Sequence, residues 1–198
     1  MRSVPRSFHI GLIMVVVFTL SLTARAQNTD TVEAGRTTVT LASSFVSALG
    51  SLGVTPGTIG PTELRGSRVN FPITGGAFDL DTASGQVLHS GGLTLTAGST
   101  EVRLQSFIID TTGSAPLITG LVVVDKKLVG RLPLFNLSLP SGFTLPVKPE
   151  HNAFREEGIG VTLTATAASA LNTVFGVTAL SGGLDIGTAD VFALLSCD

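Results

Sequence analysis

The sequence is poor in the side chains that most often build reactive or metal-binding sites. Its 198 residues include no tyrosine, no tryptophan, one cysteine, two methionines and three histidines. Because a single thiol cannot form an internal bridge, the fold must be held together by its core rather than by disulfides. We expect Cys197 to be idle at a frayed terminus, and a disulfide to another chain is the alternative.

The motifs of the common enzyme classes are missing as well. There is no Gly-x-Ser-x-Gly stretch for a serine hydrolase, and no glycine-rich loop that ends in Lys-Ser or Lys-Thr to hold phosphate. Cys197 lies too close to the terminus to serve as a preorganised nucleophile. We therefore predict that the protein is not an enzyme, with an unrecognised hydrolase as the alternative.

The first 26 residues have the pattern of a secretory signal peptide. Arg2 and Arg6 precede an uncharged apolar run from Ile10 to Leu22, and Ala24-Arg25-Ala26 supplies a small-x-small cleavage site. We predict cleavage after Ala26 and export to the periplasm, the cell surface or the medium, with no membrane span left afterwards. An uncleaved anchor is the alternative. The domain boundaries that follow are a flexible lead-in over residues 27–36 and one β-rich domain over residues 37–198.

Loss of this leader makes the chain acidic. Without the three leader arginines, nine basic residues remain against fourteen acidic ones, which is a formal charge of −5. Because phosphate binding depends on basic patches, we predict that nucleic acid is not a partner. No motif of the sequence identifies a particular partner.

Most of the remaining chain is predicted to be β-strand. Runs rich in Val, Ile, Leu, Phe and Thr are separated by Gly, Pro, Asn, Asp and Ser. This spacing indicates a mainly β protein, folded as an antiparallel sandwich or a barrel-like sheet. The predicted strands are Arg68–Thr74, Val87–Ala97, Glu101–Asp110, Leu117–Asp125, Leu128–Leu139 and Thr188–Leu195. Pro133 indicates an edge or a bulge in its strand, and the segment from Ser141 to Glu157 is predicted to be a long surface loop.

Two similar stretches near the ends of the domain predict short helices. In VTLASSFVSALGSLGVT (Val39–Thr55) and VTLTATAASALNTVFGVT (Val161–Thr178), a strand is followed by apolar residues at helical spacing and then by glycine. We interpret them as one strand-helix unit used twice, and chance similarity is the alternative.

The segment from Ile73 to Ala97 (ITGGAFDLDTASGQVLHSGGLTLTA) contains the one histidine that falls on a predicted strand. Ala77–Leu80 and Gln86–His89 are predicted to pair as a hairpin, which places His89 on the same face as Val87 and opposite to Leu88. We therefore place a candidate ligand-binding site at the end of this hairpin, with His89, Ser90, Gly91 and Leu93 as its residues. A strand-end histidine that merely bonds the neighbouring turn is the alternative.

Three other side chains are weak candidates for a metal ion. Asp79 and Asp81 stand two residues apart, but the chain lacks the later ligands that a helix-loop-helix calcium site needs. His151 lies among acidic residues in the predicted loop, where a solvated side chain is the simpler interpretation. We therefore predict no metal site.

The stretch GQVLHSGGLTL (Gly85–Leu95), with its His-x-Gly-x-Leu core, resembles the HtaA-type domain of secreted and cell-envelope bacterial haem-uptake proteins. So do ITGG before that strand and the late Leu-Thr-x-x-Ala-x-x-x-Leu-Asn helix. The resemblance implies haem bound through a tyrosine that a histidine supports. His89 matches the histidine, whereas the chain has no tyrosine, so it resembles a divergent member of the family.

Two functional hypotheses follow. The first is a secreted, non-enzymatic β-rich module of the envelope or the extracellular space, with a binding or structural role and no cofactor. The second is a haem-binding or hydrophobic-ligand-binding protein whose site lies near His89. Since the strands are long and carry few charges, unprotected sheet edges would favour self-association.

Overall fold

The computed structural model describes residues 29–196, and these form eleven strands and two helices. The strands are β1 (Thr29–Leu41), β2 (Thr55–Ile59), β3 (Glu63–Arg65), β4 (Arg68–Asp79), β5 (Gly85–His89), β6 (Gly92–Ala97), β7 (Thr100–Asp110), β8 (Leu117–Val124), β9 (Lys127–Ser138), β10 (Ala153–Leu163) and β11 (Asp185–Leu195). The helices are α1 (Ser43–Ser51) and α2 (Ala165–Phe175).

Eight of these strands close into an antiparallel barrel. The order is β7-β5-β4-β1-β11-β10-β9-β8, and the pairing of β8 with β7 closes it. The short strands β2 and β6 continue the sheet beside β7, and β3 pairs with β4. The prediction of a mainly β, barrel-like fold is confirmed, because the long aliphatic strands turn one face of the sheet inward and bury it.

The first strand begins at Thr29, so the predicted flexible lead-in over residues 27–36 is wrong for the part that the structure describes. The strand pairs with β11 on one side and β4 on the other, in registers that run from Val32 to Leu41 and from Thr29 to Thr40. Val32 is 1% exposed. These polar residues are therefore ordered by pairing on both sides, which their own composition does not reveal.

The two strand-helix units are both present. They are β1 followed by α1 and β10 followed by α2, and both strands flank β11 in the sheet. The backbone N–H of Ala42 donates to the carbonyl of Ile186, and that of Leu163 to the carbonyl of Leu184. The two corners thus meet the same end of β11, as expected for related units at the ends of one domain.

Several predicted elements differ in their limits. β10 begins at Ala153, so residues 153–157 of the predicted loop are strand. These residues pair with the last part of β11, from Ala153 opposite Leu194 to Glu156 opposite Val191, and the ring of Phe154 packs against that of Phe78 with 5.2 Å between centroids. At Pro133 the pairing of β8 with β9 shifts register, which confirms the predicted irregularity. The short strands β2 and β3 were not predicted.

Candidate functional site: an apolar cavity beside His89

The closed barrel surrounds a cavity of about 100 Å³. Its walls are almost wholly aliphatic and aromatic, and Thr37 and His89 are the polar residues among the described side chains that line it. Phe71 and Phe107 pack edge to face on one wall, with 5.2 Å between ring centroids, and Phe135 lies next to Phe107. A space of this kind gives water no hydrogen-bonding partners beyond the two polar residues, so it favours an apolar occupant.

Sheet pairing brings Thr37 and His89 together although 52 residues separate them. Both residues pair with β4: Thr37 of β1 lies opposite Phe71, and His89 of β5 lies opposite Ile73. Strand alternation then turns both side chains inward: His89 is 6% exposed, while its neighbour Leu88 is 41% exposed. This confirms the orientation predicted for the β4–β5 hairpin.

One ring nitrogen of His89 has a hydrogen-bond partner among the described residues and the other has none. Nε2 lies 2.7 Å from the hydroxyl oxygen of Thr37. Nδ1 is buried and has no hydrogen-bond partner among the described residues. If Thr37 donates to Nε2, the orphan group is an N–H; if Nε2–H donates to Thr37, the orphan is a lone pair. In either tautomer the apolar interior holds one unused polar atom.

The imidazole is neutral at physiological pH. Burial lowers the pKa of His89 from 6.5 to about 4, and the carbonyls of Phe107 and Val87 offset only part of that effect. Neither carbonyl completes a hydrogen bond with Nδ1. Since a neutral ring can still donate or accept one hydrogen bond, His89 can orient a polar atom of a ligand, but it brings no charge to do so.

The other predicted site residues divide between the cavity and the connection from β5 to β6. Leu93 lines the cavity. Ser90 and Gly91 do not: the N–H of Ser90 donates to the carbonyl of Pro72, and Gly91 has a φ of 80° in a turn packed against Thr62. Sequence reasoning missed Thr37, because nothing local marks it as the partner of a distant histidine.

The three weak metal candidates lie apart from this cavity. Asp79 Oδ1 accepts hydrogen bonds from the N–H and hydroxyl of Thr82, and the hydroxyl contact holds the pKa of Asp79 below its usual value. Asp81 and His151 are exposed in turns. Within residues 29–196, no three His, Cys or carboxylate side chains gather as a metal site would require.

An eight-stranded closed barrel, with one helix after β1 and another after β10, matches the HtaA-type fold, which confirms the fold that the resemblance implied. The chain is similar to the C-terminal domain of HtaA from Corynebacterium glutamicum, with TM-score 0.64, 15% identity and coverage of 84% of this chain and 99% of that one. The N-terminal domain of HtaA gives TM-score 0.62 at 11% identity, covering 84% and 99% of the two chains.

A third similar structure is the heme binding protein HtaB of the same organism, with TM-score 0.59, 13% identity and coverage of 85% of this chain and 95% of that one. No protein-family model matches the sequence, and the search of curated proteins found no match.

The residues of this interior do not fit haem. The cavity of about 100 Å³ is well below the roughly 300–1,000 Å³ of pockets for larger ligands. Nε2 of His89 is engaged by Thr37, and a threonine hydroxyl is a poor substitute for a phenolate as an iron ligand. No Lys or Arg of the described residues lines the cavity to receive propionates. Among the described residues, this cavity therefore does not have the side chains or the volume of a haem site.

Two sequence features and one finding on the helices complete the description. The predicted signal peptide (residues 1–26) and Cys197 lie outside the described residues. In the span from 29 to 196, neither helix has the length and apolar character needed to cross a bilayer.

Proposed function

We propose that this protein is a non-enzymatic binding module that takes a small, mainly apolar molecule into the barrel beside His89. The observation that carries the proposal is an almost wholly apolar cavity whose lining includes the buried His89, one ring nitrogen of which (Nδ1) has no hydrogen-bond partner among the described residues. An apolar cavity of about 150 Å³ in another protein stays dry and takes up benzene, so the smaller space here, about 100 Å³, sets a one-ring molecule as the upper limit of ligand size.

The same atom specifies the chemistry of the ligand. A buried polar group without a partner costs about 1–3 kcal/mol, and a ligand that supplies the missing hydrogen bond removes that cost. The favoured ligand is therefore a compact apolar body with one hydroxyl or carbonyl. Charged ligands are disfavoured, because the described lining contains no ionised group that could pair with them.

Benzene and phenol test this proposal directly, since they have nearly the same size and differ by one hydroxyl. We expect both to raise the melting temperature, and phenol to bind roughly tenfold more tightly, as one net hydrogen bond is worth about 1 kcal/mol or somewhat more. In His89→Leu the preference for phenol should disappear while benzene still binds. Equal affinities in the wild type would contradict the role given to Nδ1.

A filled cavity provides the control. Ala170 of α2 lines the cavity, whereas Ser169 beside it is exposed. Ala170→Leu should abolish binding of both ligands, and Ser169→Leu should leave it unchanged. If Ala170→Leu still binds benzene as the wild type does, the ligand lies elsewhere and the proposed function is wrong.

Haem is the second candidate, favoured by the likeness to a heme binding protein. Addition of haem to the purified protein should give no Soret shift, because of the misfit described above. A shift that is lost in His89→Ala would favour haem over the small apolar ligand. This measurement is independent of the phenol and benzene titrations.

Export and self-association belong to the same proposal. We propose secretion to the periplasm, cell surface or medium, supported by the leader pattern, and N-terminal sequencing of the exported protein should begin at Gln27.

One solved variant of the HtaA C-terminal domain is a domain-swapped dimer, with TM-score 0.56 and 15% identity, covering 77% of this chain and 91% of that one. This supports self-association here, and light scattering during size-exclusion chromatography measures it.

A further inference from the structure

The hairpin between β8 and β9 carries an exposed apolar pair. Leu128 and Val129 are 66% and 58% exposed, the highest values among the large hydrophobic side chains that the structure describes. They are consecutive in the chain, and the three residues before them, Asp125 to Lys127, are exposed too. The end of the hairpin therefore projects from the barrel with five solvated residues in a row.

Backbone geometry fixes this projection. Asp125 and Lys126 both have positive φ, 46° and 67°, as in the two-residue turn that matches the twist of paired strands. Val124 pairs with Lys127 and Val123 with Leu128, after which the register shifts and leaves Val129 without an opposite residue. A regular strand would send two consecutive side chains to opposite faces, whereas the tip with this irregularity leaves both in solvent.

The charge at the tip differs from that of the whole chain. Two of the three lysines, Lys126 and Lys127, are adjacent here, although acids outnumber bases overall. The carboxylate of Asp125 accepts a hydrogen bond from the N–H of Glu101 at 2.9 Å, which ties it to the neighbouring strand. Lys126 and Lys127 are thus the exposed cationic residues next to the apolar pair.

We propose that this tip, residues 126–129, docks on an anionic lipid surface. Leu128 and Val129 enter the interface between headgroups and acyl chains, and Lys126 and Lys127 face the lipid phosphates. A stable contact with another protein buries roughly 1,200–2,000 Å² in total and needs complementary shapes, which a narrow tip with two apolar side chains does not offer. A bilayer requires no such matching surface.

The predicted binding is weak and reversible. A myristoyl chain, which buries far more hydrocarbon, binds membranes with a constant of only about 10⁴ M⁻¹. Vesicle sedimentation should therefore use millimolar lipid, at low and at physiological salt. Purified protein is compared on vesicles of phosphatidylglycerol and phosphatidylcholine in equal parts and on vesicles of phosphatidylcholine alone.

Two double variants and one matched control decide the outcome. Lys126→Ser/Lys127→Ser should weaken binding to the anionic vesicles about thirtyfold, and Leu128→Ser/Val129→Ser should abolish it. The control is Leu145→Ser/Lys148→Ser, which removes an exposed leucine and lysine from a loop elsewhere and should bind as the wild type does.

Several results would overturn the proposal. These are failure of the wild type to sediment, equal binding to vesicles without anionic lipid, or loss of binding in the loop control. Sedimentation equilibrium without lipid adds a further check: if Leu128→Ser/Val129→Ser converts an oligomer to a monomer, the tip is a contact between copies of this chain and not a lipid site. None of these results bears on the cavity, because the tip residues do not line it.

Discussion

At the scale of single residues, Thr37 and His89 are the polar pair in an apolar interior. Thr37 is 3% exposed and His89 6%, and one hydrogen bond joins their side chains. Removing one partner leaves a buried polar group unpaired, whereas removing both leaves an apolar pair of similar shape. The two substitutions should therefore be strongly non-additive.

A double-mutant cycle measures this coupling. We expect Thr37→Val to lower the free energy of unfolding by about 1–3 kcal/mol, because it leaves a second ring nitrogen unpaired. His89→Leu should lower it less, since it leaves the Thr37 hydroxyl unpaired but removes the unpartnered Nδ1, and the double variant should be at least as stable as the wild type. Urea unfolding at pH 7 provides the three values. Simple addition of the two losses would show that the pair is not a unit.

The lowered pKa of His89 gives stability a defined dependence on pH. Above pH 6.5 the imidazole is neutral in both the folded and the unfolded chain. Between pH 6.5 and about 4 the unfolded chain binds a proton that the folded chain refuses, so the free energy of unfolding falls as the pH is lowered, by about 3 kcal/mol in all. Below pH 4 this contribution levels off.

Comparison with the variant His89→Leu separates the contribution of His89 to this pH dependence from that of the other titrating groups. Glu156, whose pKa is raised chiefly by burial, titrates in both proteins and cancels in the difference. Wild type and variant should diverge as the pH falls through this window, the wild type losing more. Parallel stability profiles would show that the histidine is charged in the folded state.

At the scale of elements, glycine permits the close approach of β4 and β5. Gly76 has a φ of 143°, and a Cβ there would lie 2.2 Å from the carbonyl oxygen of Gln86 on the paired strand. The register shift between Ile73 and Gly75 lies beside it. The strand can therefore bend around the barrel without a side chain forcing the two backbones apart.

Two glycine substitutions of opposite sign test this. Gly76→Ala should destabilise the protein by about 2 kcal/mol or more, because both its φ and its space exclude a side chain. Gly50→Ala in α1 should stabilise it by about 0.5–1 kcal/mol, since nothing lies within 4 Å of the added atom and alanine favours helix. Thermal unfolding measures both, and a harmless Gly76→Ala would refute the account of this bend.

At the scale of the whole molecule, β1 joins the two halves of the barrel. It lies between β4 and β11, so the barrel stays closed only while β1 is complete. A chain that begins at Thr37 keeps the second half of the strand but lacks Val32 and its pairing with both neighbours.

We expect that truncated chain to lose cooperative unfolding, or to unfold at a much lower temperature than a chain beginning at Asn28. Circular dichroism during heating compares the two. Equal melting temperatures would support the flexible segment that the sequence suggested, against the strand in the structure. The truncation tests the barrel and not the ligand, since the cavity lining begins at Thr37.

The sequence by itself determined the class of fold, the two strand-helix units and the placing of His89 on the same strand face as Val87. These depend on alternation, helical spacing and turn residues, which are local properties of the chain. It also determined which side chains are available to a binding site, because tyrosine and tryptophan are absent throughout.

Only the tertiary structure decided that the sheet closes as a barrel, that β1 starts at Thr29, and that Thr37 meets His89 at the wall of a cavity. The physical reason is that pairing between strands far apart in the chain depends on register and closure. Residues 29–36 look like a polar lead-in until two neighbouring strands satisfy their backbone. The empty space beside His89 likewise depends on how some thirty side chains meet, and no single segment encodes it.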